Sequence, residues 1–118
     1  MRMIGMAILL MTGSAAIADE IEDAHKRAVI GRDAYWNCLA REYPLESNKA
    51  ISLEDFESLI ATVCPSERQN LRSSLVDFLS LRFPDVDVDA HMTTANRAVD
   101  LAQMDIVTAF AKRRAAAK

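Results

Sequence analysis

The chain has 118 residues, within the size range of a single domain, and its 51% apolar and 26% charged residues exclude wholesale disorder and a collagen-like repeat. Three Gly, three Pro and 6% aromatics leave too little turn chemistry for an all-β chain. A net charge of −3 excludes a generally basic nucleic-acid binder, leaving room only for a local basic patch.

The chain opens MRMIGMAILLMTGSAAIA before DEIED. Arg2 precedes an uncharged run, Thr12-Gly13-Ser14 interrupts it, and Ala16-Ile17-Ala18 sets small residues at the −3 and −1 positions of a cleavage site before Asp19. This is the three-part layout of a secretory signal peptide: a short apolar helix for the export machinery, then an extended small-residue stretch for the peptidase. Met3–Ala18 spans 16 residues and contains two Gly, short of the roughly 20 needed to cross a bilayer. The reading is a cleaved leader at 1–18 and one domain at 19–118, periplasmic or secreted, with no stable membrane anchor after cleavage.

Loss of Arg2 leaves 13 basic and 17 acidic residues in that domain, a net charge of −4. Export also predicts the state of Cys38 and Cys64, since an even pair in an exported chain forms a disulfide. Closing a loop of this length stabilises a domain by about 3–4 kcal/mol on the chain-entropy account. The spacing lacks the C-x-x-C form of a redox or metal pair, and no cluster of His accompanies it.

Apolar spacing along residues 19–118 is helical throughout. In the first helix Ile21, Ala24, Ala28, Gly31, Tyr35 and Cys38 recur at three and four residues, Trp36 and Leu39 widen the stripe, and charges occupy the other side. Asp19, Glu20, Glu22 and Asp23 suit its positive dipole end, and Pro44 stops it near Tyr43. Residues 44–51 read as a polar loop. Ser52 is the expected N-cap of a second helix, whose apolar face is Leu53, Phe56, Leu59, Ile60 and Val63. Ser66 with Gln69 fits a capping box for a third, burying Leu71, Leu75, Phe78 and Leu79 and ending before Pro84. A fourth begins in the Asp85–Asp89 region, buries Ala95, Val99, Ala102, Ile106 and Phe110, and ends on Lys112, Arg113 and Arg114, matched to the negative helix end. The predicted fold is all-α, a compact bundle of about four helices with one disulfide.

Few residue patterns carry chemistry. Asp85, Asp87 and Asp89 begin like a calcium loop, but Ala90 and Asn96 stand where the pattern wants Gly and Glu. They read as loop and N-cap acids, with weak cation contact as the alternative. His25 and His91 are the only histidines, lie far apart, and read as surface or boundary residues flanking helix starts. No G-x-S-x-G, Cys–His pair or Gly-rich phosphate loop occurs, and no carboxylate pair stands out. The expectation is no enzyme, no metal and no cofactor. Two features suit contacts with a partner. Tyr35 and Trp36, beside Cys38, are the densest aromatic site, for which core packing is expected and interface anchoring is the alternative. Lys112, Arg113 and Arg114, with Lys118, form a basic end suited either to the helix dipole or to a negative partner.

Tyr35-Trp36-Asn37-Cys38-Leu39 and, after 25 residues, Cys64-Pro65-Ser66-Glu67 with Leu71 resemble small exported two-cysteine helical proteins of bacteria. The general plan is similar to the HdeA-type acid-stress chaperones of the periplasm, which combine a signal peptide, a helical domain, a W-x-C and one disulfide. The stretch from Cys64 through Val76-Asp77-Phe78-Leu79 to Pro84 is similar to the later half of the Rap/Tai immunity proteins. Neither resemblance assigns functional residues. A well-specified core with no catalytic constellation points to a protein that acts through contacts with another envelope protein, without nucleic acid, such as an inhibitor or immunity-type binder. The alternatives are an acid- or envelope-stress chaperone and, from another class, a small-ligand carrier or an unrecognised enzyme.

Overall fold

A computed structural model describes residues 2–117, with side chains from Ala16 onward except Glu46 and Ala117. Four helices follow one another: α1 (Arg2–Ala40), α2 (Leu53–Thr62), α3 (Pro65–Arg82) and α4 (Val88–Ala117), with a 3-10 turn at Glu46–Asn48 before α2. The fold is all-α, as expected. The leader's apolar side chains Met3–Met11, the Thr12-Gly13-Ser14 side chains and Lys118 lie outside the described residues.

The first helix differs from expectation at both ends. No extended stretch precedes Asp19; the backbone stays helical from Arg2 through the Ala-rich segment, because Ala has the highest helix propensity and no Pro intervenes. Ala16 to Glu20 are all exposed, and Ala24 is the first of the described side chains of α1 to be fully buried. The helix therefore runs on beyond the bundle, which gives a radius of gyration of 20.3 Å and a longest extent of 78 Å. At the other end it closes at Ala40, three residues short of Tyr43, and Glu42 N–H donates to the Leu39 carbonyl at 3.0 Å in the turn that follows.

Packing is organised around α3 and α4. α1 lies chiefly along α3, α3 along α4, and α2 on α4. The apolar row of α4 is buried as expected, at Ala95, Val99, Ala102, Ile106 and Phe110. Tyr35, Leu39, Phe56, Ile60 and Leu71 join Val99 through Phe110 in the main cluster. Phe56 stacks on Phe110 with ring centroids 3.9 Å apart and planes 4° from parallel, which closes α2 onto α4. At Gly31 the backbones of α1 and α3 come close together. A Cβ there would stand 3.0 Å from Ser74 Oγ and 3.3 Å from the Leu71 Cα, so the absence of a side chain sets the helix spacing.

Three packing expectations need correction. Leu53 is exposed, because it occupies the first position of α2 while Phe56 and Ile60 take the buried face. On α3 only Leu71 is fully buried; Leu75, Phe78 and Leu79 are half-buried. Trp36 is 44% exposed, one helical position round from the fully buried Tyr35.

The corner between α2 and α3 is held covalently. Cys38 and Cys64 form a disulfide with a Cα–Cα distance of 6.2 Å across a sequence separation of 26. Ser52 caps α2 as predicted, its Oγ accepting from Asp55 N–H at 3.0 Å. The expected capping box at Ser66 is absent. Helix α3 starts two residues earlier, with Pro65 in its first turn and Cys64 as N-cap in the left-handed region at φ 57°, ψ 47° and with no side-chain cap bond. Pro65 bars the ordinary helical conformation at the residue before it. The left-handed alternative costs a non-glycine residue roughly 1–2 kcal/mol, and the disulfide holds Cys64 in place. Arg68 Nη1 then donates to the Ala61 carbonyl at 2.5 Å, satisfying the end of α2 from α3.

Candidate functional site

The aromatic pair singled out in the sequence divides between two environments. Successive helical residues point about 100° apart, so Tyr35 and Trp36 cannot share a surface. Tyr35 is sealed in the core, and its hydroxyl accepts a hydrogen bond from Gln103 Nε2 at 2.9 Å, tying α1 to α4. Trp36 instead lines a groove of about 620 Å³ between α1 and α4, shared with Arg32, Asp33, Asn37, Leu101 and Asp105. Ala98 and Ala102 also line it, and Leu101 is 54% exposed. Small residues on α4 leave the space that the indole borders.

Charge sits along the α1 side of this groove. Arg32 Nη2 donates to Asp33 Oδ1 at 3.1 Å, and both side chains are about three-fifths exposed. Such a pair contributes little to stability in water. It places a donor fork and a carboxylate beside an apolar indole, the mixture that protein interfaces favour at an anchor and its rim. Leu101 was the signal that sequence reading passed over. It stands two residues from Val99, off the core row, on the row Ala98–Leu101–Asp105 that faces the groove.

At the basic end of α4, Arg114 is half-buried while Lys112 and Arg113 are exposed. Arg114 Nη1 donates to the Ile51 carbonyl at 2.6 Å, fixing the loop before α2, and its guanidinium lies 5.6 Å from the Phe110 ring centre. Arg113 lies 5.8 Å from the Tyr43 ring centre, and Lys112 is exposed. With Lys49, these two arginines and two rings border a second cavity of about 310 Å³.

The histidines also part company. His25 is exposed on α1, its ring 5.1 Å from that of Phe78. His91 was expected at a surface or boundary and is buried, 4% exposed. Its Nε2 lies 3.1 Å from the Phe83 carbonyl. That carbonyl can only accept, so Nε2 carries the proton and secures the residue that ends α3 to the first turn of α4. One turn before Ala95, His91 lies on the buried row of α4, and this position was the signal for its burial.

Asp85, Asp87 and Asp89 are all exposed, and the Asp87 carbonyl accepts from the Ala90 and His91 N–H groups as α4 begins. Among the described residues, the side chains of metal-binding type that lie together are Cys38, Cys64 and Glu67, and the two sulfurs are bonded to each other. No helix among the described residues is long and apolar enough to cross a membrane. Ala16, Ala18 and Asp19, the residues of the expected cleavage site, are exposed on α1 outside the bundle. Comparison of the chain with protein-family models, with curated proteins and with solved structures gives no match.

Proposed function

We propose that this chain is exported, is cleaved after Ala18, and acts outside the cytoplasm as a non-enzymatic helical binding protein of inhibitor or immunity type. One observation carries the binding reading. A half-exposed Trp36 borders an open groove with the exposed Leu101, beside a core in which Tyr35, Phe56 and Phe110 are buried. An exposed indole on a rigid, disulfide-tied helix is the residue type that dominates protein–protein binding energy. The disulfide supports an oxidising compartment, and Ala16, Ala18 and Asp19 are exposed, although the segment must leave its helical form to enter a peptidase.

The test places a photo-cross-linking residue at Trp36 and irradiates the protein in a native envelope preparation at pH 7 and again near pH 3. The binder reading expects one stoichiometric adduct at pH 7. Many unrelated adducts appearing only in acid would overturn it in favour of a chaperone. Absence of any adduct at both pH values would overturn the use of this groove. Intact mass checks the export reading: the recovered protein should begin at Asp19 and take up two thiol labels only after reduction.

A further inference from the structure

The charges in the Trp36 groove do not balance. Its acids are Asp33 and Asp105 and its base is Arg32, so the lining carries one net negative charge. Arg32 directs both Nε and Nη2 to Asp33 Oδ1, at 3.2 and 3.1 Å, so its charge is met inside the groove. Asp105, exposed on α4, has no ion pair or hydrogen bond among the described residues. The indole is unmatched as well. The protein's own guanidinium groups lie over Phe83, Tyr43 and Phe110. Among the described residues no cation lies over Trp36, although Trp is the ring that attracts one most strongly. A half-exposed indole on α1 and an uncompensated carboxylate on α4 therefore share one hollow.

Resting on the reading of this groove as the binding face, we propose that it receives an arginine side chain displayed on a helical segment of the partner protein. The guanidinium would lie on Trp36 and turn its donor fork to Asp105, while its apolar stem packs on Ala98 and Leu101. A guanidinium suits this place better than an ammonium because it is flat, stacks on rings and is more weakly hydrated. The chain's net charge of −3 has the sign that draws a basic partner in. The groove also has length. A smaller hollow of about 180 Å³ adjoins it at Arg32 and Ala98 and reaches His25 and Phe78. Together the two follow α1 from His25 to Asn37, about 18 Å at 1.5 Å per residue, which a helical segment of about twelve residues matches.

The test selects displayed random peptides of about the same length, twelve residues, against the full chain. Binding is read from the emission of Trp36, the one tryptophan in the sequence. Peptides that shift this emission saturably are expected to share an arginine. Replacing that arginine with citrulline, neutral and nearly the same shape, should weaken binding about tenfold, the loss of one charge-assisted contact. Asp105→Asn should weaken the arginine peptide equally and the citrulline peptide less than about twofold, because the cycle isolates the pair. Asp100→Asn, an exposed neighbour outside the groove, should change either by less than about twofold, since water and salt screen that position. Selected peptides without arginine, equal binding of the citrulline form, equal effects of Asp100→Asn and Asp105→Asn, or shifts that fail to saturate would overturn the proposal. The envelope cross-link at Trp36 separates this inference from the binder reading. One adduct there with peptides indifferent to citrulline overturns the arginine and keeps the binding face. Arginine-dependent peptides without an envelope adduct keep the arginine site and overturn its use by an envelope partner.

Discussion

Two of the seams in this bundle are built from opposite materials. Where α1 meets α3, the buried positions of α1 are Ala24, Ala28 and Gly31, and the backbones come close enough that a Cβ on Gly31 would press on Leu71 and Ser74. Where α2 meets α4, the contact is two stacked phenyl rings, with Ile60 and Ile106 in the same cluster. The first seam derives its cohesion from closeness, many weak dispersion contacts over a long shared length. The second derives it from apolar area, which scales with the size of the buried side chain. The seams should therefore fail under opposite substitutions, the first when atoms are added and the second when they are removed.

The largest effect is expected from removal. Phe56 is fully buried against Phe110, so Phe56→Ala forfeits the ring transfer energy and leaves a cavity that a helix of ten residues cannot easily close. The expected loss is about 3–5 kcal/mol, much of the stability of a domain of this size. A urea midpoint measured beside the parent checks it. A loss under about 1 kcal/mol would mean that α2 does not depend on the stack.

Next comes the staple between the seams. Few direct contacts join α1 to α2, so the Cys38–Cys64 bond is the main tie from α1 to the corner where α2 turns into α3. Replacing both cysteines by Ala should cost about 3–4 kcal/mol, since a loop of this size is released in the unfolded chain. Thermal melts with and without reductant should show the same difference for the parent and none for the double variant. A reductant effect on the double variant would point to something other than this bond.

Addition should break the first seam. Gly31→Leu puts a branched side chain where even a Cβ is 3.0 Å from Ser74 Oγ, so α1 and α3 must separate. Overpacking of this kind costs about 1–3 kcal/mol, despite the higher helix propensity of Leu over Gly. The same addition at the exposed Ala34 should be neutral or slightly stabilising. Equal effects at the two positions, read from denaturant midpoints, would remove the distinction between the seams.

What the sequence makes legible follows the same division. The core row of α4 is readable because its spacing needs no knowledge of a neighbour, and the Ser52 cap because it is local. The disulfide is readable from two cysteines and one possible pairing. The start of α3 is misread because Ser66 and Gln69 satisfy a local pattern that Pro65 and the tethered Cys64 override. His91 and Leu53 are misplaced at helix ends, where one turn decides whether a residue lies inside the bundle. The basic cavity joins Tyr43 and Lys49 to Arg113 and Arg114, residues more than 60 positions apart, so no local pattern could assemble it.

Trp36 is the instructive case, because its stripe on α1 is wider than either neighbouring helix can cover. Tyr35 and Leu39 are sealed, leaving Trp36 at the edge where α4 offers Ala98, Ala102, the exposed Leu101 and Asp105. The seams predict the smallest stability effect here. Trp36→Ala should cost less than about 1 kcal/mol, in the range of substitutions away from the core, because the indole is 44% exposed and no seam rests on it. If the groove is the binding face, the same variant should weaken partner binding by at least roughly thirtyfold, the hot-spot threshold of about 2 kcal/mol. A melt and a binding curve on the one variant separate the two. Large loss of stability with binding preserved would return Trp36 to the core, whereas intact folding with lost binding fixes it as the anchor.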